Sequence, residues 1–563
     1  MQKIDVDKII SGMSLDEKIG QMFMANICGG ESVELAKRNF EEFRFGSLQY
    51  SGVFEQFVRG GDYLPCGVSK NLPMVEAAEF LAQIKQVSMD ILGVPTIIGG
   101  DQEGSIESSV FRRRNATITP AQMGLGAANS LEDTYRAASI TACETKILGL
   151  DMLYGPSLDV NTNPLNPEIG VRSFGEDPEM VARHGEQVIK AYAEYNMIST
   201  AKHFPGRGHG QTNAHHELEC IDLTIDRLKA VELLPFGRAV KAGVDSVMMS
   251  HTLFPAIESK HLPASLSPAI VRYLRQELGF EGVIMTDSLC MFAIAKNFEI
   301  PRACAMSLEA GVDLIFMKVQ GLYKPTIEAI KASIAAGRLT EERINDAVRR
   351  ILNLKLKRGL FNGPKFSKED VISKVGCAEH VKTMQEISNR SVMVLKNDGV
   401  LPLSAGNDEA IFVIVPRDMN VALSNDFNMS HDLLPKIMSK YAKEVHFTIV
   451  DEKPTVHQSY EAVGLAKNAE KIIFCLYSAG VSEEQIALLN SLIDLGKPVI
   501  VLSSSPYLHN PVFEKVQAIV CTFGICKSTF NAAAQIMFGI IKPQAKLPVT
   551  ISKLKAKGFA VKL

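Results

Sequence analysis

The stretch GFEGVIMTDSLCM, residues 279–291, contains the pattern that decides the fold. An apolar run, Val283-Ile284-Met285, ends in a polar tip at Asp287, and a segment with a helical pattern follows it. The same order of apolar run, polar tip and helix recurs about every forty residues between residues 97 and 318. This alternation is typical of parallel α/β structure.

Five further runs follow this order and end in side chains able to do chemistry. A doubly wound sheet uses the same alternation. However, a closed ring of strands gathers six polar tips around one centre better than an open sheet does, and parallel barrels place their active sites at the carboxyl ends of their strands. We therefore predict an α/β chain that begins with a (β/α)8 TIM-type barrel. The other runs end near Ile98, Leu153, Ile198, Met249 and Phe316, and the polar residues after them include Asp101, Asp159, Lys202, His203, His251 and Lys318.

A second α/β domain is expected after the barrel, because 563 residues are too many for one ordinary core. A basic amphipathic helix predicted over residues 340–361 closes the first domain. Apolar strands and helices alternate again from residue 389, without a GxGxxG fingerprint or a P-loop, which favours a C-terminal α/β/α sandwich and argues against nucleotide binding. The predicted division is a barrel over residues 1–362, a linker over 363–388 and the sandwich over 389–563.

The composition excludes several classes of partner. Hydrophobic residues make up 46% of the chain and charged residues 22%, which are globular values. A net charge of −3 gives no reason to expect nucleic acid or an anionic membrane as a partner, and no apolar run is long enough for a membrane span. The N-terminus lacks the apolar stretch of a signal peptide, although a removed leader would leave the same picture. Ten cysteines without CxxC pairs fit a reducing compartment, so we expect a cytoplasmic protein of undetermined oligomeric state.

The stretch AKHFPGRGHGQTNAHHELE, residues 201–219, concentrates the polar chemistry of the chain. Its glycines and proline forbid a regular helix, so we predict a loop that begins where a short strand over residues 197–200 ends. Its four histidines raise the question of metal binding. They lack HExxH spacing and no carboxylate completes a convincing ligand set, so neither a metal nor another cofactor is expected.

Taken singly, the candidate residues keep alternative roles open. Asp287 is either a carboxylate with partners in a site or the N-cap of the following helix. Arg172, in IGVRSFGEDP, is either a clamp for an anion or hydroxyl or the partner of Glu176 or Asp177. His203 and His215 could simply pack within the loop. Composition and spacing alone indicate a barrel enzyme acting on a polar small molecule.

Nine motifs, in order along nearly the whole chain, carry a family resemblance. The chain resembles a two-domain member of glycoside hydrolase family 3, in the branch of the β-N-acetylglucosaminidases that act on cell-wall fragments. The motifs are MSLDEKIGQMFM, GGDQEGS, NPEIGVRSFGEDP, AKHFPGRG, LLPFGRAVKAGVDSVMMSH, GFEGVIMTDSLCM, AGRLTEERINDAVRRILNLKLKRGLF, SVMVLKNDGVLPL and KLPVTIS.

The resemblance implies a role for each candidate. Asp287 matches the catalytic aspartate, the nucleophile that forms a covalent glycosyl-enzyme in a retaining double displacement. His215 matches a histidine general acid/base that this branch uses in place of a second carboxylate. His251 lies at a motif position near the pocket, and the resemblance implies a part for it in binding the substrate. The positions implied to bind the hydroxyls of the nonreducing-end sugar are Asp101, Arg172, Lys202 and His203.

Some residues depart from the family pattern. Asn213 stands where the family has an aspartate that orients the histidine, and Arg207 stands where it has a first loop histidine; Ser105 ends DQEGS where a second glycine is common. Asn213 is an introduced substitution, or a natural one with Glu217 or Glu219 supplying the carboxylate, or a sign that hydrolysis has been lost. Because Arg207 and Ala214 change alongside it, we favour natural divergence.

The resulting hypothesis is a retaining exo-glycosidase that releases β-linked N-acetylglucosamine from muropeptides or related oligosaccharides, in peptidoglycan recycling. A β-glucosidase, a β-xylosidase or a glycoside phosphorylase of the same family is the alternative enzyme. A catalytically weak or silent sugar-binding protein is the alternative from another class, since the altered loop could have cost His215 its function.

Overall fold

The N-terminal strands form a closed, all-parallel ring of eight. The ring closes where the first strand pairs with the last, Phe23 with Ile315 and Met24 with Phe316. In a computed structural model, residues 4–28, 32–51, 72–105, 116–406, 408–417, 430–477, 480–551 and 555–561 are described. In chain order the strands are β1 (Phe23–Cys28), β2 (Ser47–Ser51), β3 (Ile97–Gly100), β4 (Met152–Leu153), β5 (Ile198–Phe204), β6 (Glu219–Cys220), β7 (Ser246–Met249), β8 (Thr252–Leu253), β9 (Val283–Ser288) and β10 (Leu314–Phe316), of which β6 and β8 pair with each other outside the ring.

Helices surround this ring, and the core lies between them and the strands. None of the helices in the described ranges is both long and apolar enough to pass through a membrane. The helices of this domain are α1 (Val6–Gly12), α2 (Leu15–Gln21), α3 (Val33–Phe43), α4 (Met74–Leu92), α5 (Gln122–Ala128), α6 (Leu131–Ile147), α7 (Pro178–Glu194), α8 (Ile225–Ala230), α9 (Leu234–Lys241), α10 (Pro268–Arg272), α11 (Phe292–Ala295), α12 (Ile300–Ala310), α13 (Tyr323–Ala335) and α14 (Glu341–Lys357).

The predicted barrel is confirmed, with two differences in detail. The strand predicted to end near Thr200 continues to Phe204, so Lys202 and His203 lie on β5 rather than in the loop after it. The capping-box pattern Ser14-Leu15-Asp16-Glu17 predicts a helix that continues through Phe23, but the helix ends at Gln21 and Phe23 begins strand β1. Its residues are needed as a strand because they fill the place between β10 and β2 that closes the ring.

The C-terminal domain is a six-stranded sheet covered on both faces. Alternate residues of each strand point to opposite faces, so one continuous apolar run can supply two cores. This arrangement confirms the predicted α/β/α sandwich. The strands are β11 (Met393–Asn397), β12 (Ile411–Pro416), β13 (Val445–Val450), β14 (Lys471–Leu476), β15 (Val499–Ser503) and β16 (Ala518–Cys521), in the order β11-β16-β15-β14-β12-β13 with only β11 antiparallel to its neighbour, and the helices are α15 (Lys368–Lys374), α16 (Ala378–Ser391), α17 (Leu433–Met438), α18 (Val456–Ala466), α19 (Glu483–Ile493) and α20 (Lys527–Met537).

The segment predicted as a linker contains α15 and most of α16 and is held against the barrel. Glu144 on α6 is fully buried and accepts hydrogen bonds from Thr117, from the Gly376 backbone N–H at 3.0 Å and from His380 Nδ1 at 2.7 Å. Arg390 donates two hydrogen bonds of 2.7 Å to Asp133, also on α6. The connection between the domains is therefore an ordered, hydrogen-bonded layer.

We expect Glu144→Ala to lower the free energy of unfolding by about 3 kcal/mol, because it leaves the buried N–H and hydroxyl of Thr117 and the half-buried donors of Gly376 and His380 without their acceptor. The melting temperature measured by calorimetry should fall by several degrees. Glu379→Ala removes an exposed carboxylate of α16 and is the matched control. Equal melting temperatures for the two variants would show that Glu144 does not hold the segment.

The two domains also meet directly beside the barrel's carboxyl end. Ser105 follows β3 with a φ of +53°, and its Oγ accepts a 2.5 Å hydrogen bond from the Ile525 N–H. Gly524 has a φ of +134°, and a Cβ there would lie 2.5 Å from Ser105 Oγ. Asn161 Nδ2 donates to Tyr507 Oη at 2.5 Å. The loops after β3 and β4 therefore rest on the C-terminal domain.

Candidate active site

The carboxyl ends of the barrel strands bring the predicted site residues together. Lys202 and His203 lie on β5 and Asp287 lies on β9. Asp101 follows β3, Arg172 ends a short 3₁₀ turn after β4, His215 lies on the loop after β5, and His251 follows β7.

One cluster of these residues is organised around a carboxylate that the sequence did not single out. Glu103 accepts hydrogen bonds from Arg172 Nε at 2.8 Å and Nη2 at 2.9 Å, and it lies 2.5 Å from Lys202 Nζ. Lys202 Nζ also donates to Asp101 Oδ1 at 3.0 Å. The four charges alternate in sign, which suits a site that binds sugar hydroxyls through donors and acceptors.

The charges of this cluster are stable in the fold. Burial alone would raise the pKa of Glu103, but Arg172 and Lys202 hold it well below its ordinary value. Burial alone would lower the pKa of Lys202, but Asp101 and Glu103 raise it. Both groups are therefore charged at neutral pH.

The alternative prediction that Arg172 pairs with Glu176 or Asp177 is wrong. Glu176 instead accepts hydrogen bonds from the Thr550 N–H and hydroxyl in the C-terminal domain. Asp177 caps the N-terminus of α7 and pairs with Lys557. Both lie at the domain interface, which leaves Arg172 for Glu103.

Glu103→Gln should lower the free energy of unfolding at pH 7 by about 3 kcal/mol, because Arg172 and Lys202 lose their shared buried charge. The folded-state pKa of Glu103 is depressed, so its contribution is fully present above the ordinary pKa of about 4.3 and is lost as the pH falls below it. The difference in melting temperature between the variant and the parent should therefore stay nearly constant from pH 7 to about pH 4.5 and shrink as the pH falls further. A difference that grows on acidification would contradict this assignment.

Asp287 is set as an ionised, accessible carboxylate. Its side chain is 17% exposed, its Oδ1 accepts a 2.7 Å hydrogen bond from the Ser288 N–H, and its Oδ2 lies 4.0 Å from His203 Nε2. Burial alone would raise the pKa of Asp287, but nearby histidines, led by His203 and His251, together with Arg207 hold it well below its ordinary value. The helix after it is capped at Met291, so the N-cap alternative for Asp287 is wrong.

His203 is fixed by Asp159, a second carboxylate whose role the sequence did not reveal. His203 Nδ1 lies 2.8 Å from Asp159 Oδ2, so Nδ1 donates to the carboxylate and Nε2 is left facing Asp287 and Arg172 Nη2, which is 3.4 Å away. Asp159 also accepts from the backbone N–H of His203 and Arg207. Its position in the polar run after β4 was the one available sequence signal.

His251 is hydrogen-bonded to the last residue of β9, Ser288. It is fully buried, and burial lowers its pKa to about 4, so it is neutral at pH 7. Its Nε2 donates to the Ser288 carbonyl at 2.9 Å and its Nδ1 therefore accepts from Ser265 Oγ at 2.8 Å. Direct binding of the sugar by His251 stays a prediction.

The loop after β5 presents His215 with its side chain 23% exposed. His215 Nδ1 lies 3.0 Å from Asn213 Oδ1 and 3.5 Å from Glu168 Oε1, and burial lowers the pKa of the imidazole to about 3 against the opposing charge of Asp287. Glu217 is exposed, and Glu219 accepts from the N–H groups of residues 211 and 212. The alternative in which Glu217 or Glu219 supplies the missing carboxylate is therefore not supported by the geometry, and the carboxylate beside His215 Nδ1 is that of Glu168.

A parallel barrel with an ionised carboxylate, a partly exposed imidazole and a charged hydroxyl-binding cluster at one end has the parts of a barrel glycosidase. Residues 14–354 match the model of the glycosyl hydrolase family 3 N terminal domain and residues 392–559 that of the C-terminal domain. The chain belongs to glycoside hydrolase family 3. It is a glycosidase that acts on β-linked sugars.

Individual relatives carry several substrate names. A family 3 β-N-acetylglucosaminidase from Paenibacillus sp. strain FPU-7 superimposes with a TM-score of 0.87 and 30% identity, over 96% of this chain and 99% of that one. Beta-hexosaminidase A of Pseudoalteromonas piscicida is 28% identical over 82% of this chain and 84% of its own length. A beta-xylosidase of Formosa agariphila is 27% identical over 82% of this chain and 69% of its own length.

Proposed function

We propose that this protein is a retaining exo-glycosidase that releases β-linked N-acetylglucosamine from muropeptides or related oligosaccharides. The observation that carries the proposal is the state of Asp287, an ionised carboxylate that is partly exposed at the end of β9 beside His203. A nucleophile must be ionised and reachable by the anomeric carbon, and Asp287 meets both conditions. The sugar is proposed from the names of the β-N-acetylglucosaminidase and β-hexosaminidase relatives.

The reaction uses two groups in two steps. In the first step, a carboxylate oxygen of Asp287 forms a bond to the anomeric carbon, the glycosidic C–O bond breaks, and the leaving oxygen takes a proton from His215 Nε2. In the second step, His215 takes a proton from water, the water oxygen attacks the anomeric carbon, and the bond to Asp287 breaks. Two inversions give net retention at the anomeric carbon.

The remaining site residues bind the sugar and keep the charges in order. Asp101 and the cations of Lys202 and Arg172 offer both acceptors and donors to hydroxyl groups. His203 Nε2 lies between Asp287 and Arg172 Nη2, where it can hold a hydroxyl next to the reacting carbon. We propose that this cluster binds the nonreducing-end residue.

A panel of nitrophenyl β-glycosides of N-acetylglucosamine, glucose and xylose, assayed with and without phosphate, tests the proposal. We expect the highest kcat/KM on the N-acetylglucosaminide, free sugar as product, and a β-anomer as the first species seen by NMR. Preference for the glucoside or xyloside would favour the alternative hydrolases. Phosphate-dependent release of sugar 1-phosphate would favour a phosphorylase, and calorimetric binding without any turnover would favour a sugar-binding protein.

A further inference from the structure

We propose that Glu168 is the positioning carboxylate of the acid/base histidine, acting on His215 from the loop after β4. The inference rests on the proposed function and concerns the same site. It assigns the orienting role to a residue 47 positions before the histidine along the chain, and Glu168 Oε1 lies 3.5 Å from His215 Nδ1.

The neutral imidazole of His215 carries its proton on Nδ1. His215 Nδ1 faces two oxygens, Asn213 Oδ1 at 3.0 Å and Glu168 Oε1 at 3.5 Å. Both atoms are acceptors in this geometry, so the proton of the neutral ring lies on Nδ1 and the lone pair on Nε2 is free to take or return a proton. The amide oxygen supplies a direction, and the carboxylate supplies a negative charge.

Glu168 is buried and is held by contacts with the loop that carries His215. Its side chain is 3% exposed, and its Oε2 accepts a 2.9 Å hydrogen bond from the Ala214 N–H, next to His215. Arg207 Nη2 contacts the same Oε2. Asn166 accepts from the Glu168 N–H at 3.0 Å and donates to the Arg207 carbonyl at 2.8 Å. The loops after β4 and β5 are thus joined around this one carboxylate.

Glu168 also balances the charge of the buried Arg207 guanidinium. Arg207 is only 1% exposed, and a buried guanidinium needs a counter-charge. Glu168 gives that counter-charge to Arg207 and, with its other oxygen, faces His215. Glu168 therefore links the two departures from the family loop, Arg207 and Asn213. It pairs with Arg207, and it brings a carboxylate from the loop after β4 to the histidine whose neighbour at position 213 is an amide.

The charge of Glu168 matters because His215 must carry a second proton before it can donate one. Arg207, Lys318 and Arg172 are cations that oppose protonation of the imidazole, and Asp287 is an anion that favours it. Glu168 and Asp287 are the anions on the other side of this balance. Because Glu168 is nearly inaccessible, it acts through His215 and is not itself the proton donor to the sugar.

The test compares Glu168→Gln with Glu217→Gln, which removes an exposed carboxylate of the loop that carries His215. On aryl β-N-acetylglucosaminides with poor leaving groups, we expect Glu168→Gln to lower kcat/KM by about 10²-fold. On dinitrophenyl substrates, kcat/KM should fall much less, because dinitrophenolate leaves without taking a proton. The alkaline limb of the pH profile should move to lower pH, because the protonated imidazole loses a stabilising anion. Glu217→Gln should change none of these.

Restoring the carboxylate locally gives the second readout. Asn213→Asp in the Glu168→Gln background should recover at least a tenfold part of the loss, because the aspartate places a negative charge beside Nδ1 of His215 again. Glu168→Asp, which keeps a counter-ion for Arg207, serves if Glu168→Gln does not fold. It should show the same dependence on the leaving group to a smaller degree.

Each contrary outcome has a distinct meaning. An equal loss on all leaving groups without recovery by Asn213→Asp would make Glu168 a purely structural residue and overturn the inference. Unchanged rates for Glu168→Gln, with His215→Ala impaired, would overturn the inference and leave the proposed function standing. A parent protein inactive on every aryl glycoside would overturn the proposed function and this inference together.

Discussion

Asp287→Asn is expected to lower kcat on nitrophenyl β-N-acetylglucosaminide by on the order of 10⁴-fold or more, because the amide cannot form the covalent bond to the anomeric carbon. The change is isosteric, and the Ser288 N–H can still donate to the remaining oxygen, so the fold should persist. Steady-state kinetics together with a far-UV circular dichroism spectrum measure both parts. Glu281→Gln, an exposed carboxylate just before β9, is the control.

A covalent probe tests directly whether Asp287 is the nucleophile. A 2-deoxy-2-fluoro β-glycoside with a good leaving group should label the parent protein once, and peptide mass spectrometry should find the sugar on Asp287. Unchanged turnover in Asp287→Asn, or a label on another carboxylate, would contradict the assignment of the nucleophile.

His215→Ala is expected to lower kcat/KM on substrates with poor leaving groups by about 10²–10⁴-fold, because the leaving oxygen then departs without a proton. For dinitrophenyl substrates the first step needs little acid, so the loss should appear in the second step, and added azide should restore the rate by replacing water as the nucleophile. The neighbouring His216 is exposed and bonds through its backbone carbonyl to Lys296, so His216→Ala is the matched control. A loss shared by both variants, or one that does not depend on the leaving group, would point to another acid/base.

The fold was predictable because its signals are local. Six of the eight barrel strands, β3, β4, β5, β7, β9 and β10, are short apolar runs that lead to a polar tip, and the run from Val283 to Asp287 can be read without any knowledge of its neighbours. The exceptions are β1 and β2. Phe23–Cys28 adjoins a capped helix, α2, and Ser47–Ser51 alternates polar and apolar residues, so the closed ring is what shows the place of both strands.

The site was predictable only in part because its partners are not local. Asp287, Lys202 and His203 stand at strand ends, where the barrel itself makes them meet. The carboxylates that fix the cations and imidazoles, Glu103 and Glu168, come from loops, and no spacing in the sequence relates them to residues on other strands. Glu103 at least adjoins a candidate, Asp101, whereas nothing in the sequence pointed from Glu168 to His215.

The contact between Ser105 and Gly524 bears on how far this chain is modular. Any side chain at position 524 would collide with the serine that ends DQEGS, and the serine in turn takes its place beside a left-handed glycine of the other domain. The two positions therefore fit each other closely. A chimera that joins this barrel to a foreign C-terminal domain keeps Ser105 but loses the Gly524 and Ile525 backbone against which it packs. The loop that carries Asp101 and Glu103 would then be the first to change its conformation.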